Sequence, residues 1–175
     1  MTNKTSWLII VTLALVIAYS GYQFYRAPRP VELTSDAIFN AQLPDLAGVR
    51  QPLQQWRGKL LVVNFWASWC PPCQREIPGF IRLQRKYGAD GLQFVGIAID
   101  DKSAVQAYAN KTGFNYPILV SDLEGVSLAR ASGNYSGGLP YTIVIDQQGR
   151  VVAAGSGEMT ERELTNLLAP LLHKR

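Results

Sequence analysis

The only two cysteines in the 175-residue chain are Cys70 and Cys73. They stand at the two ends of the segment Cys70-Pro71-Pro72-Cys73, directly after Trp69, where a strand is predicted to pass into a helix. Two sulfurs at this spacing can form a disulfide and be reduced again by thiol exchange. The pair therefore indicates dithiol redox chemistry.

Three other uses of a cysteine pair are disfavoured by the surrounding sequence. A structural zinc site needs four nitrogen or sulfur ligands, and the chain adds a single histidine, His173, near its C-terminus. A c-type haem site needs histidine directly after the second cysteine, but residue 74 is Gln. A disulfide that only stabilises the fold gains most by closing a long loop, and this one closes a very short loop.

The position of the two sulfurs predicts how they divide the reaction. Cys70 lies just before the predicted helix, where free N–H groups and the helix dipole favour a thiolate. Cys73 lies one turn into the helix, on the predicted buried face with Ile77 and Phe80. We therefore expect Cys70 to attack a partner's disulfide and Cys73 to resolve the mixed disulfide.

The Pro-Pro spacer bears on the direction of the reaction. Each proline removes an N–H group that would have stabilised the thiolate, and no positively charged residue lies between the cysteines. We expect a modest fall in the thiol pKa and a reducing protein. Its potential is then expected nearer to about −270 mV, as in thioredoxin, than to about −120 mV, as in the oxidase DsbA.

An uncharged N-terminal segment over residues 7–25 predicts a membrane anchor. As a helix its 19 residues would extend for about 28 Å, close to the thickness of about 30 Å of a bilayer core. A cleaved signal peptide is the alternative, with Ala18-Tyr19-Ser20 as its cleavage site. The predicted domains are an anchor (or signal peptide) over 1–25, a linker over 26–39 and a folded domain over 40–175.

Alternating apolar runs and turn residues divide the rest of the chain into strands and helices. The pattern predicts an α/β domain with a largely parallel sheet and an antiparallel hairpin at one edge. Strands are predicted over 60–66, 92–99, 117–120, 141–145 and 151–154, and helices over 71–87, 104–112, 124–131 and 160–172. The formal net charge of +4 is scattered along the chain, so we expect no nucleic-acid partner.

The segment GKLLVVNFWASWCPPCQREIP, residues 58–78, resembles the thioredoxin superfamily. It is most similar to the membrane-tethered TlpA/ResA/DsbE-like thiol–disulfide oxidoreductases, and the resemblance covers roughly residues 40–172. It implies a thioredoxin-like fold, in which helices flank a central mixed β-sheet. In the TlpA-like group this fold carries an inserted helix and strand, which residues 117–131 would supply.

The resemblance also implies roles for residues outside the cysteine pair. Pro140 corresponds to the family's cis-proline, which packs beside the disulfide, and the backbone before it, at Leu139, would pair with the substrate. Trp69 would shield the disulfide and contact partner proteins. Asn64 occupies the place of a buried aspartate that moves protons in thioredoxins. Since asparagine cannot titrate, Glu76 is expected to exchange the proton of Cys73.

The family implies a reductase of protein disulfides in a bacterial inner membrane, with a single N-terminal pass and a periplasmic domain. Implied partners are apocytochrome c or copper-site assembly proteins as substrates and a DsbD/CcdA-type membrane electron donor. The Cys70–Cys73 disulfide is expected to serve without a further cofactor or metal. A DsbA-like oxidase and a Cu(I)-binding metallochaperone remain the alternatives.

Overall fold

A computed structural model describes the placement of residues 3–26 and 33–172. The chain divides into two compact units, of which the second begins at Leu33. In the first unit, residues Asn3–Arg26 form a continuous helix, α1. The side chains of its apolar residues from Trp7 to Tyr22 are largely exposed.

The predicted membrane pass over residues 7–25 is contradicted. A transmembrane helix needs about 20 consecutive, predominantly apolar residues. Across the described ranges, no helix is found that is both long and apolar enough to span a bilayer. The predicted inner-membrane location, which depended on a single N-terminal pass, is therefore contradicted.

The folded unit begins earlier than residue 40, where the folded domain was predicted to start. Residues 27–32 lie outside the described part of the chain, but Leu33 already belongs to the compact unit. Helix α2, Asp36–Asn40, follows at once. Its Ile38 and Phe39 are buried in the core, which is why this part of the predicted linker is packed as part of the domain.

A small hairpin of β1 (Gln42–Pro44) and β2 (Arg50–Pro52) precedes the central sheet of the second unit. The five strands of that sheet are β3 (Leu60–Trp66), β4 (Leu92–Ile99), β5 (Ile118–Ser121), β6 (Tyr141–Ile145) and β7 (Val151–Ser156). Their spatial order is β5-β4-β3-β6-β7. Strands β3, β4 and β5 are parallel, whereas β6 runs antiparallel to β3 and β7 antiparallel to β6.

Helices connect and cover the strands. The four that follow β3 are α3 (Pro71–Tyr87), α4 (Lys102–Thr112), α5 (Leu123–Ala131) and α6 (Glu161–Leu172). Two short 3₁₀ turns cover Leu53–Trp56 and Gly88–Asp90. This is the predicted thioredoxin-like arrangement, with β5 and α5 in the place expected for the inserted strand and helix.

The central strand β3 is buried along its whole length. Because side chains alternate between the two faces of a strand, Val62 and Trp66 enter one core cluster while Val63 and Phe65 enter the other. The first cluster also contains residues of α3, including both cysteines. Asn64 has the same strand parity as Val62 and Trp66, which places its polar side chain on the α3 side of the sheet.

Candidate active site

The turn from β3 into α3 carries the cysteine pair. Cys70 is the residue that precedes the helix, and its Sγ accepts a hydrogen bond of 3.3 Å from the backbone N–H of Cys73. Pro71 and Pro72 occupy the first two helical positions, where a missing N–H breaks no helical hydrogen bond. Cys70 and Cys73 form a disulfide, with their Cα atoms 5.3 Å apart.

The two sulfurs differ in accessibility in the predicted order, by a small margin. Cys70 is 3% exposed and Cys73 is fully buried, whereas the neighbouring Trp69 is 66% exposed. A partner thiolate can therefore approach the disulfide only from the Cys70 side, across a surface from which Trp69 projects.

Hydrogen bonds hold the turn that presents Trp69. The backbone N–H and the hydroxyl of Ser68 both donate to Oδ2 of Asp100, at 2.8 and 2.5 Å. The side-chain amide of Gln74 donates to the carbonyl of Ser68 at 2.5 Å. Asp100 follows β4, so the end of the neighbouring parallel strand anchors the cysteine turn. Sequence reasoning did not identify Asp100, because its role depends on which strand lies beside β3.

The predicted cis-proline is confirmed at the Leu139–Pro140 peptide bond. Phe65 near the end of β3 pairs with Tyr141 at the start of the antiparallel β6. Pro140 therefore lies at the end of the sheet where the chain leaves β3 toward Cys70. The side chain of Leu139 packs against the core cluster that contains both cysteines.

The loop before Pro140 is braced on both sides of Leu139. The buried side-chain amide of Asn134 donates to the carbonyl of Gly138 at 2.9 Å, and the N–H of Gly157 donates to the carbonyl of Pro140 at 2.8 Å. Among the hydrogen bonds of the described residues, none uses the backbone N–H or C=O of Leu139. These two groups are free to pair with an extended peptide.

Glu76 is buried one helical turn beyond Cys73. Its Oε1 accepts from the side-chain amide of Asn64 at 2.7 Å, and its Oε2 accepts from the backbone N–H of Met159 at 2.9 Å. Burial raises the pKa of Glu76 from 4.5 to about 7, although these two hydrogen bonds oppose the rise and the charge of Glu158 adds to it. The carboxyl group therefore titrates near neutral pH.

Of the predicted site residues, Cys70, Cys73 and Glu76 lie together at the start of α3. Strand β6 brings Leu139 and Pro140 to the same end of the sheet, and Trp69 projects from the surface there. His173, considered as a metal ligand, lies outside the described residues. Sequence reasoning missed Met159 and Asn134. Met159 contacts Glu76, which is distant in the chain, and Asn134 contacts Gly138 within a loop that carries no recognisable motif.

The chain is similar in sequence to known proteins over nearly its whole length. Residues 33–170 match the family model described as Redoxin. The thiol-disulfide oxidoreductase ResA of Halalkalibacterium halodurans is 31% identical over an alignment 175 positions long, which covers 96% of this chain and 97% of that protein. The thioredoxin-like protein YneN of Bacillus subtilis is 30% identical over an alignment 171 positions long, which covers 93% of this chain and 96% of that protein.

Solved structures show the same fold. A putative thiol:disulfide interchange protein DsbE from Chlorobium tepidum superposes with a TM-score of 0.67 at 25% identity, covering 75% of this chain and 92% of that one. A secreted Mycobacterium tuberculosis disulfide oxidoreductase, described as homologous to E. coli DsbE, gives a TM-score of 0.65 at 27% identity. The alignment with the second structure covers 78% of this chain and 99% of that one.

Proposed function

Because this chain belongs to the Redoxin family and is a TlpA/ResA/DsbE-like thiol–disulfide oxidoreductase, we propose that it reduces disulfides in other proteins. The observation that carries the proposal is the Cys70–Cys73 disulfide at the start of α3, with the buried carboxyl of Glu76 one turn beyond it. One group can exchange electrons and the other can exchange the accompanying proton.

The reducing direction is supported by what surrounds Cys70. The two prolines that follow it offer no N–H to a thiolate. Asp100 binds the turn at Ser68, two residues before Cys70, with a carboxylate oxygen. A nearby negative charge and few donors both make the thiolate less stable. A less stable thiolate makes the dithiol a better reductant, because the reduced form is then not favoured over the disulfide.

Reduction of a partner proceeds in two exchanges. The Cys70 thiolate attacks one partner sulfur, so that a Cys70–partner bond forms, the partner's own S–S bond breaks, and the second partner sulfur leaves as a thiolate. Cys73 then gives its proton to Glu76 and attacks Sγ of Cys70. The Cys70–Cys73 bond forms, the bond between Cys70 and the partner breaks, and this partner sulfur also leaves as a thiolate. The partner departs with both electrons; one of its thiolates takes the proton from Glu76 and the other takes a proton from water.

Glu76 is suited to accept that proton. With a pKa of about 7, a large fraction of the carboxyl groups is ionised at neutral pH, and the protonated form is also accessible. A general base is most effective when its pKa lies near the working pH. Asn64, at the place of the thioredoxin aspartate, cannot take this role because an amide does not titrate.

The surface around Cys70 fits a protein substrate. Trp69, next to Cys70, is 66% exposed, and Tyr135, in the loop before Pro140, is 70% exposed. Aromatic side chains are common anchors in protein interfaces. The free backbone groups of Leu139 would hold an extended segment of the substrate beside Cys70. We propose cysteine pairs of apocytochrome c or of copper-site assembly proteins as substrates, and a dithiol protein of the DsbD/CcdA type as electron donor. The two sulfurs carry the electrons, so no further cofactor is required.

Equilibration of the full-length protein with glutathione tests the direction of the reaction. A reductase is expected to have a potential near about −270 mV, whereas a value near about −120 mV would identify an oxidase and overturn the proposal. Partners are identified with Cys73→Ser, which leaves Cys70 able to attack but removes the resolving sulfur. Mixed disulfides should accumulate on this variant and be absent from Cys70→Ser.

A further inference from the structure

The side-chain carbonyl of Asn64 is buried without a hydrogen-bond donor. Asn64 is 2% exposed, and its Oδ1 has no partner. Its amide nitrogen, in contrast, donates twice, to Oε1 of Glu76 at 2.7 Å and to Oγ1 of Thr142 at 3.0 Å. An unpaired acceptor in a protein interior is unfavourable, so its presence beside a titrating carboxyl group calls for a physical reason.

The observed arrangement suits only the ionised form of Glu76. Both carboxylate oxygens then accept, one from Asn64 and one from the backbone N–H of Met159. If either oxygen carried a proton, its O–H group would face the N–H donor of Asn64 or of Met159, and two donors cannot form a hydrogen bond. The backbone N–H of Met159 cannot become an acceptor, but the Asn64 side chain can, because a rotation of 180° about χ2 exchanges its oxygen with its nitrogen.

Rotation would give the buried oxygen of Asn64 two hydrogen-bond donors when Glu76 is protonated. Oδ1 would then accept from the O–H of Glu76 and from the hydroxyl of Thr142, which can turn its hydrogen toward it. Thr142 is fully buried in β6 and Asn64 lies in β3, so both partners are held by the sheet. Oδ1 of Asn64, which has no donor when Glu76 is ionised, would accept two hydrogen bonds when Glu76 is protonated.

We propose that Asn64 is a positioning residue whose amide reverses each time Glu76 gains or loses its proton. The reversal keeps Glu76 hydrogen-bonded at one place in both halves of the reaction. The inference rests on the proposed role of Glu76 as proton acceptor for Cys73. It explains why an amide, rather than a second titrating group, serves at this position in β3.

Other groups influence Glu76 but cannot replace this function. Glu158, from the segment before α6, acts on Glu76 through its charge, and Arg75 on α3 pairs with Glu158 at 2.7 Å. Burial and the charge of Glu76 both raise the pKa of the Tyr116 phenol, which precedes β5. Of these groups, Glu158 raises the pKa of Glu76. None of them can change from donor to acceptor at Oε1.

Nuclear magnetic resonance on the full-length oxidised protein tests the reversal. The carboxyl carbon of Glu76 reports its protonation, and the nuclear Overhauser effect between the Asn64 amide protons and the Thr142 methyl group reports the amide orientation. We expect this effect to be strong above the Glu76 midpoint and to lose most of its intensity below it, with the same midpoint. An effect that stays constant while Glu76 titrates would overturn the proposal. In Glu76→Gln it should show no pH dependence.

Kinetics provide a second readout that a merely structural role would not affect. Asn64→Leu removes the hydrogen bond to Glu76 in both protonation states. The ionised carboxylate loses more stabilisation than the neutral carboxyl group, because hydrogen bonds to charged groups are stronger. We expect the pH midpoint of the Cys73-dependent exchange to rise by about one pH unit. Thr142→Val leaves the bond between Asn64 and Glu76 in place and should move the midpoint far less. An unchanged midpoint in Asn64→Leu would refute the positioning role.

The two proposals fail in different ways. If Glu76→Gln exchanges disulfides as fast as the unaltered protein, Glu76 is not the proton acceptor, and the proposed mechanism is overturned. If Glu76→Gln is slow but the Asn64 amide keeps its orientation across the titration, only the reversal is overturned.

Discussion

Replacement of Glu76 by Gln should change how the stability of the oxidised protein depends on pH. The folded-state pKa of Glu76 is raised from 4.5 to about 7, so the folded protein binds this proton more tightly than the unfolded chain does. The resulting stabilisation is fully present below pH 4.5 and is lost as pH rises through about 7. Glutamine has nearly the same shape, remains uncharged and cannot titrate.

The size of the effect follows from the pKa. At about 1.4 kcal/mol per pKa unit, a rise from 4.5 to about 7 corresponds to about 3 kcal/mol. This is a large part of the free energy of unfolding of a domain, which is about 5–15 kcal/mol. Relative to Glu76→Gln, the unaltered protein should therefore lose about 3 kcal/mol of stability between acid and mildly alkaline pH.

Urea unfolding of both full-length proteins across this pH range measures the difference, in which the contributions of all other groups cancel. Glu124→Gln serves as the control, because it makes the same chemical change at a position where the side chain is 53% exposed. A difference between the unaltered protein and Glu76→Gln that is independent of pH would refute the reasoning. So would one in which the unaltered protein gains stability as pH rises.

Three further substitutions test the surroundings of the site. Glu158→Gln should lower the pKa of Glu76, because a like charge is removed, and the carboxyl carbon of Glu76 would then titrate at lower pH; a higher midpoint would contradict the assigned interaction. Trp69→Ala should raise KM for a protein disulfide severalfold while leaving the redox potential unchanged, since Trp69 is an exposed contact and packs little against the core; an unchanged KM would exclude it from the substrate surface. Asn134→Ala removes the donor to the carbonyl of Gly138 and should raise KM by a larger factor than it lowers kcat, with the free energy of unfolding reduced by about 1 kcal/mol. Equal factors for KM and kcat, or no change in either, would refute the bracing role.

The fold was predictable where apolar runs are long. The predicted bounds of the strands over 60–66, 92–99 and 141–145 and of the helix over 71–87 agree with the structure. These segments carry continuous or periodic hydrophobicity, and proline, glycine or polar residues interrupt them at their ends. Helix α2 and the β1–β2 hairpin escaped prediction because strands of three residues and a helix of five are too short to show a period.

The N-terminal part of the chain was predicted incorrectly. An uncharged stretch of the right length predicted a membrane pass, yet the described residues contain no helix with the required length and apolar character. The same composition-based reasoning put residues 33–39 in a linker, whereas Ile38 and Phe39 are buried in the core. Local composition cannot reveal whether a short apolar segment finds a partner elsewhere in the chain.

The sequence by itself determined the chemistry. Two cysteines at a single turn's spacing, a proline-rich start of a helix and an acidic residue one turn on are local features, and the geometry of a helix is enough to relate them. Tertiary structure alone decided what the acidic residue can do. Burial against β3 raised the pKa of Glu76 to about 7, and only the pairing of β3 with β6 set Asn64 and Thr142 side by side next to it. Desolvation and hydrogen bonding depend on neighbours that are distant in sequence, so they arise only when the sheet is assembled.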